Sequence, residues 1–115
     1  MNSYLAKLVF NIVIENKNIT SQFDEQIRVI QAHSPEDAFI KARAIGKREE
    51  DSFINKKNET VQWKFIDITG LYSLKEAKDG EQLYSQTHEA DDSNSFINYI
   101  REKAMLVQTN LLTFA

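Results

Sequence analysis

The chain has 115 residues, 42% of them hydrophobic and 27% charged, and a formal net charge of -3. That length suits one domain with a core of ordinary size, and the slightly acidic balance gives no general attraction to nucleic acid or anionic lipid. The sequence contains no cysteine, which removes disulfides, thiolate zinc sites and thiol nucleophiles.

In MNSYLAKLVFNIVIE, Tyr4, Ala6, Leu8, Phe10, Ile12 and Ile14 alternate with Leu5, Lys7, Val9, Asn11, Val13 and Glu15. This predicts a long strand with one strongly apolar face. Lys7 and Asn11 interrupt the apolar run and no charged leader precedes it, so neither a signal peptide nor a membrane span is expected. A cytoplasmic protein is the resulting expectation. NKNITSQ reads as a loop. Phe23 to Ala32 reads as a second strand, with Phe23, Ile27 and Val29 on one side and Arg28 and Ile30 on the other. The short connection favours an antiparallel hairpin.

HSPEDAFIKARAIGKREEDSF predicts a helix. Ser34 suits the N-cap, Pro35 the first helical position, and Glu36 and Asp37 the positive end of the dipole. Ala38, Ala42, Ile45 and Phe53, with Phe39 and Gly46 beside them, recur at helical spacing and give the side that meets a sheet. Glu49, Glu50 and Asp51 spread around the helix end and read as a solvated face, not a converging acid/base pair. The pattern fades by about Phe53. INKKNE then reads as a turn, with Asn58 best able to take a left-handed conformation.

From Thr60, Val61, Trp63 and Phe65 alternate with Thr60, Gln62 and Lys64, predicting a third strand with Trp63 in the core. A turn at Lys78-Asp79-Gly80 and a fourth strand near Glu81 to His88 follow. DDSNSFINYIREKAMLVQTNLLTF predicts a second amphipathic helix, capped by Asp92 or Ser93, with Phe96, Ile97, Ile100, Ala104, Val107 and Leu111 as its stripe. The expected fold is therefore α+β: a four-stranded, mainly antiparallel sheet in the order β-β-α-β-β-α, one helix packed on it, and a C-terminal amphipathic helix. A single domain over residues 1–115 is expected, with its core in 4–90 and the last helix in 92–113.

YLAKLVF, EDAFIKARAIGKREEDSF, NETVQWKFIDITGLYSL and DGEQLYSQ carry a resemblance. Tyr4, Ala6, Lys7 and Leu8, then Ala38, Ala42 and Gly46, then Glu59, Thr60, Val61, Trp63 and Phe65, then Leu71 and Tyr72 together resemble the bacterial family "domain of unknown function 4288". The likeness spans about residues 4–86 and leaves the C-terminal helix outside. Asn58 stands where that family often has Gly before Glu-Thr-Val, and it suits the same turn. The resemblance implies a fold and brings no catalytic or binding residue with it.

HEADD, residues 88–92, is the densest set of candidate metal ligands: His88, Glu89 and Asp91 suit several divalent ions. The same segment reads equally as an acidic loop that caps the second helix. The scattered Gly46, Gly70 and Gly80 form no phosphate loop, and no Gly-x-Ser-x-Gly elbow occurs. Enzyme is therefore the weaker hypothesis, and no cofactor is expected.

If Leu8, Phe10, Ile27, Val29, Val61, Trp63 and Phe65 pack under the first helix, the other face presents Leu5, Val9, Val13, Ile30, Ile66 and Ile68 among polar side chains. That is too apolar to stay bare. The C-terminal helix, a second copy in a two-fold homodimer, or another protein would cover it. Lys7, Arg28, Gln62 and Lys64, with Tyr84 as the stacking aromatic, form the candidate binding set on that face, arranged as RNA-recognition sheets arrange theirs. The acidic balance and the shortage of exposed aromatics argue against nucleic acid. A small noncatalytic interaction or regulatory module, acting through its sheet face or C-terminal helix, is the leading expectation.

Overall fold

The computed structural model describes residues 1–15, 21–74 and 78–111. The expected loop at 16–22 and the tail after Leu111 fall largely outside the described residues. The chain divides into two compact units, Met1–Tyr84 and Ser85–Ala115.

In the first unit, strands β1 (Asn2–Ile14), β2 (Gln22–Ala32), β3 (Asp51–Ile54) and β4 (Thr60–Leu74) form one sheet in the order β2-β1-β4-β3, with helix α1 (Pro35–Arg48) between β2 and β3. Every neighbouring pair is antiparallel. The second unit holds helix α2 (Ser93–Asn110). The α+β class, the strand count and the β-β-α-β-β-α order are as expected from sequence.

The strand expected from Thr60 is present as β4, but the remaining strand lies elsewhere than expected: it precedes β4, at Asp51–Ile54, instead of following it. The helix stops at Arg48 with Glu49 as C-cap, and Asp51–Ile54, read from sequence as helix end, is a strand. Phe53 therefore lies on β3 and not on the helix stripe. Four residues are too few to show a period, and their hairpin partner fixes them instead. Asn58 takes φ 61, as its side chain allows. The Asn55 carboxamide oxygen accepts from the N–H groups of Lys57 and Glu59 at 3.0 and 2.9 Å, closing a tight turn between β3 and β4. The turn before Glu81 is present, closed by the Glu81 N–H donating to the Lys78 carbonyl at 3.0 Å with Gly80 at φ 80. No strand follows it: residues 81–90 are irregular and exposed.

β1 alternates as read. Tyr4, Ala6, Leu8 and Phe10 are buried beneath α1 together with Ile30, Ala32 and Phe65. α1 meets them with Ala38, Ala42 and Gly46, one small side per turn, so its backbone comes down close to the sheet. Ile45, Trp63, Ile68 and Leu71 pack partly buried around this core. Ile68 thus belongs to the helix side, not to the face where the sequence put it.

The register of β2 corrects a second expectation. Leu8 stands opposite Gln26, Ala6 opposite Arg28 and Tyr4 opposite Ile30, so Asp24, Gln26, Arg28 and Ile30 share the helix face. Ile27 and Val29 face away. A count of apolar residues favoured the other assignment, with Phe23, Ile27 and Val29 inside. The reason is local: Ile30 and Ala32 lie under α1, while Asp24, Gln26 and Arg28 lie beyond it, where the sheet is open to water.

Polar contacts hold the helix along its rim. Arg43 pairs side-on with Asp67, Nε to Oδ1 and Nη2 to Oδ2 both at 2.9 Å, and its guanidinium lies 4.4 Å from the Phe39 ring centroid. Lys41 Nζ donates to the Gln31 carbonyl at 2.9 Å. The Arg43 hydrogen bonds, then the Ile68 N–H, hold the Asp67 carboxyl below its ordinary pKa.

Candidate functional site

Two surfaces of the sheet unit carry the site chemistry. The first is the face turned away from α1, where Leu5, Val9 and Val13 of β1 lie beside Phe23, Ile27 and Val29 of β2. The last three are 60%, 63% and 61% exposed.

Lys7, Gln62 and Lys64 point to this same side, since Lys64 stands opposite Asn11 and Gln62 opposite Val13. Lys7 Nζ sits 5.3 Å from the centroid of the Tyr84 ring, which meets Tyr72 edge-on at 4.8 Å. The structure therefore brings Lys7 and Tyr84 together. Lys7 also pairs with Glu25 at 3.3 Å, and that bond raises its pKa against an opposing effect of burial. Burial, and then Tyr84, raises the pKa of the Tyr72 hydroxyl. Arg28 lies on the opposite face, across from Ala6, so the five candidates do not form one surface.

The second surface is a groove of about 370 Å³ on the helix face, past the C-terminal end of α1. Phe10 and Trp63 form its floor, with ring centroids 6.1 Å apart and planes tilted by 57°. Trp63 is partly buried against the core and lines the groove as well. Phe53 closes one side, and Gln26 and Arg28 the other. Arg28 is held in place: Nε and Nη2 donate to Gln26 Oε1 at 3.1 and 2.7 Å, and Nη1 to Glu49 Oε1 at 3.3 Å. Gln26 in turn donates to Asp24 at 2.8 Å.

Asp51 stands opposite Trp63 across the β3–β4 ladder and completes the wall with Glu49. Its Oδ1 accepts from the Ser52 N–H at 2.8 Å, which orients the carboxylate. A second cleft of about 380 Å³ continues from Asp51 and Trp63 past Glu50, Ser52, Gln62 and Lys64. Glu50 Oε2 accepts from the Phe65 N–H at 3.0 Å and so caps the edge of β4 where β3 ends.

Reading Glu49, Glu50 and Asp51 on a continuous helix spread them around its axis. The hairpin instead folds Glu49 and Asp51 back toward Trp63. The available signal was Asn58 as a left-handed turn residue between DSFI and TVQW, which sets those two segments opposite each other.

In the second unit, Asp92 caps α2, its Oδ1 accepting from the N–H groups of Asn94 and Ser95 at 3.1 and 3.3 Å and its Oδ2 from the Ser95 hydroxyl at 2.8 Å. The Ser95 hydroxyl, then the backbone N–H groups, lower the Asp92 pKa. His88 lies 6.1 Å from the Phe96 ring, and Glu89 and Asp91 are exposed. Among the described residues, no three His, Cys, Asp or Glu side chains converge as metal ligands. No helix of the described residues is long and apolar enough to cross a membrane.

No curated protein and no solved structure matches the chain. The pattern of one family does, over residues 3–85, which takes in all four strands, α1, Trp63 and both sheet surfaces. The chain belongs to that family, domain of unknown function DUF4288.

Proposed function

We propose that this protein is a noncatalytic association module that pairs with a second copy of itself through the sheet face turned away from α1. The observation that carries the reading is the exposure of Phe23, Ile27 and Val29 beside Leu5, Val9 and Val13. Large apolar side chains left exposed together on one sheet face, here interleaved with Lys7, Asn11 and Glu25, favour an interaction surface. Its charge supports an apolar partner over a polyanion, because Lys7 is already paired with Glu25 and Lys64 alone does not make a basic patch.

The chain also supplies a complementary element. α2, taken by itself, contains no buried side chain and carries Ile97, Ile100 and Val107 exposed along its length, with Leu111 exposed at its C-cap. An apolar sheet face and an apolar helix stripe on one sequence allow a closed, two-fold exchange between copies. Sedimentation equilibrium of the full chain tests the reading. A dimer is expected, and a doubly substituted Ile27→Asp, Val29→Asp chain should be monomeric with an unchanged circular dichroism spectrum. A wild-type chain that stays monomeric at its highest soluble concentration would overturn it.

A further inference from the structure

The groove beside Trp63 lies on the helix face, away from the surface proposed for association, and its chemistry points to a ligand of its own. Its floor is aromatic and its wall is acidic. The Arg28 guanidinium offsets only one of the two wall carboxylates, Glu49, to which its Nη1 donates, while its Nε and Nη2 donate to the neutral Gln26. Arg28 and Glu49 form a closed pair, and Asp51 is the charge left over. Among the described residues, no Lys or Arg lies within ion-pair distance of Asp51.

A tryptophan is the strongest aromatic partner for a cation, and a carboxylate directly across a strand pair from it adds a Coulombic attraction in the same place. Phe53, 45% exposed, supplies the further ring surface against which alkyl groups can pack. An anion would meet two carboxylates, Asp51 and Glu49, against the single charge of Arg28. A neutral apolar molecule would gain nothing from the wall.

We propose that the Trp63 groove binds an organic cation, an alkylammonium or guanidinium group seated against Trp63 and beside the Asp51 carboxylate. The group has two sources: a free amine, or a lysine or arginine side chain presented by a protein.

The sequence contains one tryptophan, so fluorescence excited selectively at tryptophan reports the surroundings of Trp63. Choline, butylammonium and a capped Gly-Lys-Gly peptide are titrated into the full chain. Beside them runs the uncharged isostere of choline, in which a tert-butyl group replaces the trimethylammonium. A saturable change with the cations, at least several-fold weaker for the isostere and weakened by added salt, is expected.

Asp51→Asn should weaken cation binding about tenfold while circular dichroism stays unchanged, because the side chain is exposed on an edge strand. Phe53→Leu, also exposed, is the second variant and should weaken it several-fold. A peptide that binds much tighter than butylammonium identifies a protein side chain as the source, and equal or weaker binding identifies a free amine. No saturable response to any cation, an equal response to the isostere, or an undiminished response in Asp51→Asn would overturn the proposal.

Discussion

Gly46 of α1 lies so close to Phe65 of β4 that a Cβ built on the glycine would overlap the phenylalanine ring. Phe65 cannot simply swing aside, since it is 8% exposed and packed at 5.5 Å, with its plane tilted by 57°, against Phe10, itself 1% exposed. Gly46→Ala sets two effects against each other. Helix propensity favours alanine by up to about 1 kcal/mol. Overpacking a filled core costs about 1–3 kcal/mol, so a net loss is expected. Urea unfolding should show a lower midpoint with an unchanged slope, and Phe65→Leu added to Gly46→Ala should restore part of the loss. A Gly46→Ala chain at least as stable as wild type would mean that the helix can lift without cost.

Ile27 and Ile30 are three residues apart on β2 and face opposite ways. Ile30 is 1% exposed under α1, and Ile27 is 63% exposed. Ile30→Ala should therefore cost about 3 kcal/mol through lost burial and the cavity left behind. Ile27→Ala should change monomer stability by only about 0.5 kcal/mol, measured at low protein concentration so that association does not contribute. The reverse ranking would show that β2 pairs with β1 one residue out of register, with Ile27 turned inward in place of Ile30.

These two strands also mark how far the sequence could be read. Alternation in β1, the Ser34 cap, Pro35 and the Ala38–Ala42 spacing are local signals, and each was legible because its physics is contained within a few residues. The choice of inner face for β2 was not. Both faces of Phe23 to Ala32 carry apolar side chains, and the decision depends on how far α1 extends over the sheet. DSFI was too short to announce a strand, so the approach of Asp51 to Trp63 stayed hidden until the hairpin partner was known. Lys7 with Tyr84 was partly legible as a shared face, while Arg28 was assigned to that face only because the register of β2 was still open.

The β3–β4 turn rests on Asn58 at φ 61 and on the Asn55 side chain. A β-branched residue pays about 1–2 kcal/mol for a left-handed conformation, so Asn58→Val should destabilise the chain by that amount, whereas Asn58→Gly should be nearly neutral. Asn55→Ala removes two acceptor contacts, each worth about 0.5–1.5 kcal/mol. Hydrogen exchange localises the effect: faster exchange is expected at Thr60 to Trp63 with little change in β1 and β2. Uniform acceleration throughout the sheet would instead mean that the hairpin unfolds only with the whole unit.

Asp67 and Asp92 respond to acid in the same direction and report on different units. Arg43 hydrogen bonds lower the pKa of the first, and the Ser95 hydroxyl that of the second. A carboxyl whose folded pKa lies below its unfolded value binds its proton more readily after unfolding, so its contribution to stability is complete above about pH 4 and fades as pH falls through the folded value. Carboxyl carbon shifts followed by NMR should give both residues midpoints below that of aspartate in a short peptide. Asp92→Ala should reduce the helical signal of α2 at neutral pH and remove the acid-dependent part of that loss, while leaving the sheet's amide shifts in place. Arg43→Gln should bring the Asp67 midpoint back toward the peptide value without touching that of Asp92. A midpoint for Asp67 that stays depressed in Arg43→Gln would assign its low pKa to the Ile68 N–H, the next donor to its carboxylate, in place of the ion pair that ties α1 to β4.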